Sequence, residues 1–219
     1  MNRRAMLQTG LGAGVGALAA GFLPAARPAE GCETPAQTEG PFYPTREQPD
    51  TDVDLTRVQG RTDRARGDVV GIRGQVLDDA LQPVAGALVE IWQANAHGRY
   101  HHDADPNPAA EDPAFQGWGR VRTGPGGHYS FTTIVPGAYP ASETWMRPPH
   151  VHFKVAKRGY HELVTQMYFA GEALNDADRL LLSVPEGDRD RVVVALAEGA
   201  PHDDPPRTGV FNIVLQRVA

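Results

Sequence analysis

A run of alternating apolar residues in the second half of the chain constrains the fold more than any other stretch. Val151, Phe153 and Val155 recur with a period of two, which is the period of a β-strand with one buried face. His150 and His152 then share the opposite face, with Cα atoms roughly 6.6 Å apart. Imidazoles at that separation can bind one ion at bond lengths of about 2.0–2.1 Å. The run therefore predicts half of a metal site, unless both histidines simply face solvent.

Six other segments have the composition of short strands between turn residues. The sequence Gly124-Pro125-Gly126-Gly127 predicts a tight hairpin. One helix is predicted around residues 189–197, because Val192, Val193 and Leu196 recur at helical spacing. Together these patterns indicate an all-β fold, a β-sandwich of mostly antiparallel strands with long irregular loops and one short C-terminal helix. The predicted strands cover residues 69–77, 87–93, 120–123, 128–134, 151–156, 163–169 and 210–215.

The first 67 residues differ in composition from the rest. Arg3 and Arg4 precede an uncharged, Gly/Ala-rich run at 7–23, which is the pattern of an export signal. Paired arginines favour the twin-arginine route, and roughly 17 such residues make a poor membrane span. We therefore predict a signal peptide at 1–29, a periplasmic or extracellular location and no stable membrane span. Residues 30–67, polar and interrupted by prolines, predict an extended arm ahead of a β-sandwich domain at 68–219.

Charge and cysteine content limit the expected binding partners and disulfide bonds. The net charge is −6 and no dense basic stripe occurs, so nucleic acid is not an expected partner. Cys32 is the only cysteine, which rules out an internal disulfide in spite of the predicted oxidising destination.

Two tyrosines in loops are candidates for the other half of the metal site. Tyr139 lies in a Pro/Gly-rich turn shortly before the histidine strand, and Tyr100 follows the strand predicted at 87–93. Neither residue continues a period-two apolar face, so packing in the core explains them poorly. A plain surface position stays open for both.

Several motifs, taken in order, resemble the intradiol ring-cleavage dioxygenases, and the protocatechuate 3,4-dioxygenase branch most closely. The stretches Thr38-Glu39-Gly40-Pro41-Phe42-Tyr43-Pro44 and Thr165-Gln166-Met167-Tyr168-Phe169 extend the match to roughly residues 38–217. The central motifs are Ile91-Trp92-Gln93-Ala94-Asn95 with Gly98-Arg99-Tyr100, Pro136-Gly137-Ala138-Tyr139-Pro140, and Arg147-Pro148-Pro149-His150-Val151-His152-Phe153.

The resemblance implies one non-haem Fe(III) ion per active site, bound by Tyr100, Tyr139, His150 and His152. Hard anionic phenolates beside imidazoles suit Fe(III) better than Fe(II). It also implies the reaction: a catechol-type substrate binds through both oxygens, and O2 opens the ring between its hydroxyls to give a muconate-type diacid.

Further residue roles follow from the same resemblance. Tyr139 would release the metal and take a substrate proton. Arg147 would stabilise negative charge on the ring, and Gln166 would line the substrate and oxygen pocket. Because the protocatechuate branch usually pairs two related chains, a homo- or hetero-oligomer is a further expectation.

Two alternatives stay open. The cluster of His97, His101, His102, Asp103 and Asp105 could form a zinc site instead. The stretch at 71–87 also resembles transthyretin-like β-sandwiches, which would make the chain a non-catalytic binding module.

Other conspicuous side chains have simpler interpretations. Trp145 is interpreted as a packing residue that could also wall the pocket. The aspartates near the C-terminus are interpreted as ordinary solvated charges: Asp176, Asp178, Asp188 and Asp190.

Overall fold

A computed structural model describes residues 33–45, 48, 50–200 and 202–218 of the chain. The signal peptide predicted at 1–29 and Cys32 lie outside the described residues. Strands dominate the regular structure, so the predicted all-β fold is confirmed. The strands are β1 (Val69–Asp78), β2 (Leu88–Trp92), β3 (Trp118–Arg122), β4 (His128–Ile134), β5 (Tyr139–Ser142), β6 (Trp145–Arg147), β7 (His150–Ala156), β8 (Leu163–Phe169), β9 (Val193–Val194), β10 (Leu196–Glu198), β11 (Arg207–Val210) and β12 (Ile213–Leu215).

The first five-stranded sheet is built around the long strand β1. Its order is β10-β11-β1-β12, and β4 also pairs with β1 in antiparallel register. Strands β11 and β12 run parallel to the first and second halves of β1. The single strand predicted at 210–215 is therefore wrong. It divides at Phe211, whose carbonyl oxygen lies so close to Gly74 that a Cβ there would collide with it.

The second sheet has the order β3-β2-β7-β8-β9 and carries the histidine strand at its centre. β7 pairs antiparallel with β2 and β8. Its residues Val151, Phe153 and Val155 are fully buried in the main hydrophobic core, as the alternation predicted. That core fills the space between the two sheets, where for example the rings of Phe153 and Phe211 lie 4.9 Å apart. Burial on this face fixes the register of β7, because a shift by one residue would bring the histidines into the core.

The helix predicted around residues 189–197 is not formed. A 3-10 helix, Glu186–Arg191, ends there, and β9 and β10 follow. Val193 and Val194 extend the second sheet by pairing in parallel with Tyr168 and Phe169. β-Branched residues suit a pleated sheet surface, so this tertiary pairing outweighs the helical spacing of the apolar residues.

The α-helix of the described chain, α1 (Arg179–Ser183), lies ten residues earlier than the prediction, after a 3-10 helix at Ala173–Ala177. Asp178 caps α1, its side chain accepting from the backbone N–H groups of Leu180 and Leu181. No helix among the described residues is long and apolar enough to cross a membrane.

The N-terminal arm contacts strands of both sheets. The backbone N–H of Gln37 donates to the carbonyl of Val164 at 2.8 Å, and that of Thr34 donates to Val214 at 3.2 Å. Further along, Leu55 is fully buried in the main core. The arm therefore passes beside β8 before it reaches the sandwich interior.

Candidate metal centre

The face of β7 that points away from the core carries His150 and His152. Both are buried, at 2% and 3% exposure, so the alternative of two solvated histidines is wrong. The strand register sets their neighbours: His152 lies opposite Trp92 on β2 and Gln166 on β8, and His150 lies opposite Tyr168. The indole of Trp92 stacks on the His152 ring at 4.8 Å and 12°. A second buried layer of aromatic and polar side chains therefore covers this face.

Two loops deliver the tyrosines to the same place. Tyr139 begins β5, and its cross-strand partner in the β5–β6 hairpin is Arg147, which precedes the histidine strand. Tyr100 follows a tight turn in which the Asn95 side chain accepts from the N–H groups of His97 and Arg99 at 2.8 and 3.1 Å. The turn brings Tyr100 back over the end of β2.

Glycines permit the two loops to touch. Gly98 has a φ of +78°, and a Cβ there would collide with the carbonyl of Ala138, next to Tyr139. Gly137 faces back at Gly98, and its N–H donates to the Asn95 carbonyl at 2.9 Å. Because neither position has room for a side chain, the rings of Tyr100 and Tyr139 approach to 5.4 Å in an edge-to-face arrangement.

The four predicted ligands lie next to one another, and three of them bring their polar atoms together. The Tyr100 hydroxyl lies 3.3 Å from Nε2 of His150 and 3.2 Å from Nε2 of His152. The ring of Tyr139 packs edge-to-face on that of Tyr100 and lies 5.7 Å from that of His150. Two phenols and two imidazoles from three separate parts of the chain thus lie in one buried cluster.

Burial sets the protonation of these groups. Burial, with the charge of Arg147, lowers the pKa of His150 to about 3, and burial and the neighbouring His150 lower the pKa of His152 well below its usual value. Burial raises the pKa of Tyr100 well above 10, and it raises the pKa of Tyr139 as well. Both imidazoles are therefore neutral, and both phenols are protonated unless a strong positive charge lies beside them.

The tautomer of His150 follows from its contacts. Its Nδ1 lies 2.7 Å from the carbonyl oxygen of Pro148, which can only accept, so Nδ1 carries the hydrogen and Nε2 has a lone pair. Nη1 of Arg147 lies 3.2 Å from that Nε2 and donates to it. Nδ1 of His152 is buried and has no protein partner within the described structure. The lone pair on Nε2 of His150 thus faces Tyr100 and Arg147.

This donor set fits a ferric ion. Two neutral imidazoles with inward-facing nitrogens offer lone pairs, and two phenols offer hard oxygen ligands once they lose their protons. Because burial raises the pKa of both tyrosines, a strong positive charge is needed beside them to favour the phenolate form, and a trivalent ion would supply it. The four residues could therefore hold Fe(III) between them.

Arg147 is the most extensively hydrogen-bonded side chain of the site. Its Nε donates to Oδ2 of Asp178 at 2.9 Å, and its Nη2 donates to Oε1 of Gln166 at 2.9 Å. Nη2 also lies 3.2 Å from Tyr168 Oη. Burial disfavours the guanidinium charge, but the hydrogen bond to Asp178 and the charge interactions with Tyr168, Asp178 and Tyr139 together outweigh it, so the pKa of Arg147 is raised. Arg147 is thus a fixed positive charge beside the histidines.

The interpretation of Asp178 as a solvated charge is wrong. This residue is fully buried and forms an ion pair with Arg147, whereas Asp176 and Asp190 are exposed and Asp188 pairs with Arg191 at 3.4 Å. Its place two residues before the apolar Leu180-Leu181-Leu182 run is the sequence signal of a helix N-cap. The pairing with Arg147, 31 residues earlier, has no such local signal.

Sequence reasoning also missed two residues that border the centre. Tyr168 shares a strand face with Gln166 at a spacing of two, which is the signal that could have found it. The ring of Phe42, in the arm, lies 4.7 Å from that of Tyr100 and 6.3 Å from that of Tyr139. The arm therefore packs against both tyrosines.

The alternative zinc cluster is not assembled. His97, His101 and Asp103 are exposed, while Asp105 accepts from the backbone N–H of Tyr100 at 2.7 Å. Among the described residues, no three histidine, cysteine, aspartate or glutamate side chains lie close enough to hold a metal. The acidic end of this loop instead orients Tyr100.

Comparison with known proteins shows the family of the chain. The dioxygenase family (Dioxygenase_C) matches residues 38–217. The chain belongs to this family. Its relatives include the protocatechuate 3,4-dioxygenase beta chain of Burkholderia cepacia, 38% identical over 180 residues that cover 80% of this chain and 76% of the relative. Catechol 1,2-dioxygenase 1 of Acinetobacter lwoffii is 37% identical over 167 residues, 69% of this chain and 52% of the relative.

Solved dioxygenase structures share the fold. The dioxygenase domain of a carbohydrate-binding fusion protein from Streptomyces sp. SirexAA-E has a TM-score of 0.61 at 30% identity and covers 85% of this chain and 99% of its own. Catechol 1,2-dioxygenase from Pseudomonas arvilla C-1 has a TM-score of 0.63 at 27% identity, over 84% of this chain and 62% of its own. The match to the catechol 1,2-dioxygenase 1 of Acinetobacter lwoffii spans about half the length of that relative. Membership also speaks against the binding-module alternative.

Proposed function

We propose that this dioxygenase uses a non-haem Fe(III) ion and O2 to open a catechol-type ring between its two hydroxyls, giving a muconate-type diacid. The observation that carries the proposal is the meeting of the Tyr100 hydroxyl with Nε2 of His150 and of His152, at 3.3 and 3.2 Å. Family membership supports the same reaction class.

The ion would be held by Tyr100, Tyr139, His150 and His152. When bound, a ferric ion would draw electron density from the catecholate and so make the ring reactive towards O2. The protein keeps both imidazoles neutral by burial, so that their nitrogens can act as ligands without first losing a proton.

Tyr139 is suited to move a substrate proton. Burial raises the pKa of Tyr139, so its phenolate is a strong base for a catechol hydroxyl. Its place on the short β5–β6 hairpin, instead of on the central sheet, leaves it less constrained by strand pairing than the histidines. We propose that Tyr139 Oη accepts one of the two protons that the catechol must lose.

Arg147 would stabilise negative charge that develops on the ring. Its charge is buried, held from several sides, and directed by Nη1 towards the histidines. A preorganised charge in a site with little water acts more strongly than one in solvent. Gln166 uses its Oε1 to hold Arg147 and its Nε2 to donate to the Thr38 carbonyl at 3.0 Å, so it orients the arginine as well as lining the pocket.

The proposal extends to location and assembly as expectations. The paired arginines Arg3 and Arg4 and the apolar run at 7–23 support export by the twin-arginine route. N-terminal sequencing of the protein from a periplasmic fraction would detect removal of about 29 residues, the signal length that the charge pattern suggests. A homo- or hetero-oligomer is proposed from the habit of the protocatechuate branch, and light scattering of the purified protein would detect it.

The deciding experiment combines colour, iron content and oxygen uptake. Tyrosinate bound to Fe(III) absorbs visible light, so the purified protein should be red-brown and contain one iron per chain. An oxygen electrode should then record uptake with at least one of catechol, protocatechuate, hydroxyquinol or a bulkier aryl diol.

Two variants make this experiment specific. His152→Ala should lose both colour and iron, whereas Tyr160→Phe, which changes a tyrosine outside the centre, should keep them. A colourless, iron-free wild type that consumes no oxygen after reconstitution with iron would leave the binding-module alternative as the better account.

A further inference from the structure

Asp178 forms a bidentate ion pair with Arg147 beside the candidate metal centre. Oδ2 accepts from Nε at 2.9 Å, and Oδ1 accepts from Nη2 at 3.2 Å. The side chains of Arg147 and Asp178 are 4% and 0% exposed. Paired N–H donors matched to a carboxylate restrict both the position and the plane of a guanidinium.

The geometry of this pair determines which guanidinium nitrogen of Arg147 faces the site. Asp178 occupies the Nε side, and Gln166 and Tyr168 share Nη2 with it. Nη1 is then the nitrogen that faces Nε2 of His150, at 3.2 Å. A rotation of the guanidinium about its own axis would break the contacts with Asp178.

Asp178 is itself held by the first turn of α1. Oδ1 accepts from the N–H groups of Leu180 and Leu181 at 3.1 and 2.8 Å. Leu181 is buried in a small cluster with Tyr168 and Val192, so the helix is anchored to the end of β8. Helix, carboxylate and arginine form one connected unit.

We propose that Asp178 is a positioning residue for ring cleavage, holding Arg147 so that Nη1 faces the reacting ring. This rests on the proposed function, because Arg147 needs an orientation only if charge develops beside it. The inference adds a residue whose hydrogen bonds go to Arg147 and to the first turn of α1, so it would position the arginine without binding the ion itself.

The principal test is Asp178→Asn. Asparagine keeps the N-cap acceptor, but it loses the charge and directs an amide towards the N–H donors of Arg147. We expect kcat and kcat/KM to fall together by about 10–100-fold, the usual cost of removing an outer partner of a site. Iron content and visible colour should stay at the wild-type level, because the four ligands are untouched.

A matched control separates positioning from folding. Leu181→Ala removes packing beneath α1 and should lower Tm, yet it leaves the ion pair in place and should keep kcat near the wild-type value. If Leu181→Ala lowered kcat as much as Asp178→Asn, then Asp178 would matter only as part of the helix, and the proposal would be overturned.

A double-mutant cycle with Arg147→Gln gives a second readout that needs no activity. In metal-free protein, each single variant leaves one member of the buried ion pair without its charged partner and should lower Tm. The double variant should recover part of that loss. In iron-loaded protein, Asp178→Asn should lower kcat no further once Arg147→Gln is present. Independent, additive effects in either measurement would contradict the proposal.

The outcomes also separate this inference from the proposed function. An active wild type with a fully active Asp178→Asn variant would contradict the positioning role of Asp178 but not the proposed ring cleavage. A wild type that holds iron but cleaves no catechol would overturn both.

Discussion

The two faces of β7 have opposite chemistry on the same seven residues. On one face Val151, Phe153 and Val155 are fully buried in an apolar core that ties the two sheets together. On the other, His150 and His152 are almost as buried, yet they face tyrosines, an arginine and a glutamine. Similar burial with different partners indicates that the first face contributes apolar packing, whereas the second carries the polar groups that we propose bind iron.

The largest effect is expected on the core face. Phe153→Ala should lower the free energy of unfolding by about 3–5 kcal/mol, because it removes a ring and leaves a cavity between the sheets. Urea unfolding of the metal-free protein measures this loss. A cost as small as that of a surface substitution would show that the core face does not carry the stability of the sandwich.

The opposite pattern is expected for Tyr100→Phe. Loss of the hydroxyl that lies between both imidazoles should lower iron affinity and ring cleavage by at least about 100-fold, since even outer partners of a metal cost that much. The free energy of unfolding of the metal-free protein should change by only about 1 kcal/mol, the net value of one hydrogen bond. Iron assay, oxygen uptake and urea unfolding on one preparation test the contrast. Tyr160→Phe is the control, and normal iron binding by Tyr100→Phe would argue against the ligand set.

The buried histidines should make the metal-free protein sensitive to acid. The pKa of His150 is lowered to about 3 by burial and Arg147, and the pKa of His152 is also lowered. Below pH of about 6.5 the unfolded chain binds protons that the folded state refuses, so stability falls as the pH drops from about 6.5 towards 3 and is constant above that range.

Each histidine should contribute a slope of about 1.4 kcal/mol per pH unit within this window. Urea unfolding between about pH 7.5 and 4.5 measures the slope. His152→Asn should reduce it, while His128→Asn, at an exposed position on β4, should not. Equal slopes in all three proteins would mean that other groups cause the acid sensitivity.

The smallest effect is expected at the third residue of the same polar face. Lys154 follows the two histidines on β7 and pairs with Glu39 at 3.0 Å and Glu162 at 3.4 Å, both partly in solvent. Lys154→Met should change the free energy of unfolding by less than about 1 kcal/mol, because solvent screens such pairs. Iron content should be unchanged. A loss of iron would extend the functional part of this face beyond the histidines.

The sequence predicted those parts of the molecule in which local pattern and burial agree. The alternation at 151–155 placed one strand, its core face and its two histidines correctly. The helix predicted at 189–197 failed because its apolar spacing suits either structure, and parallel pairing with Tyr168 and Phe169 decided for a strand. The strand predicted at 210–215 failed because nothing local to it reveals Gly74, which receives the Phe211 carbonyl.

By itself, the sequence determined the fold class, the candidate ligands and the family resemblance, because these depend on residue type and short-range period. The tertiary structure alone decided that Tyr100 and Tyr139 meet, through the contact of Gly98 and Gly137, and that Asp178 is a buried partner of Arg147. Such contacts join residues some 30 to 50 positions apart. No local period encodes them, since they arise only when the strands have registered and the loops have packed.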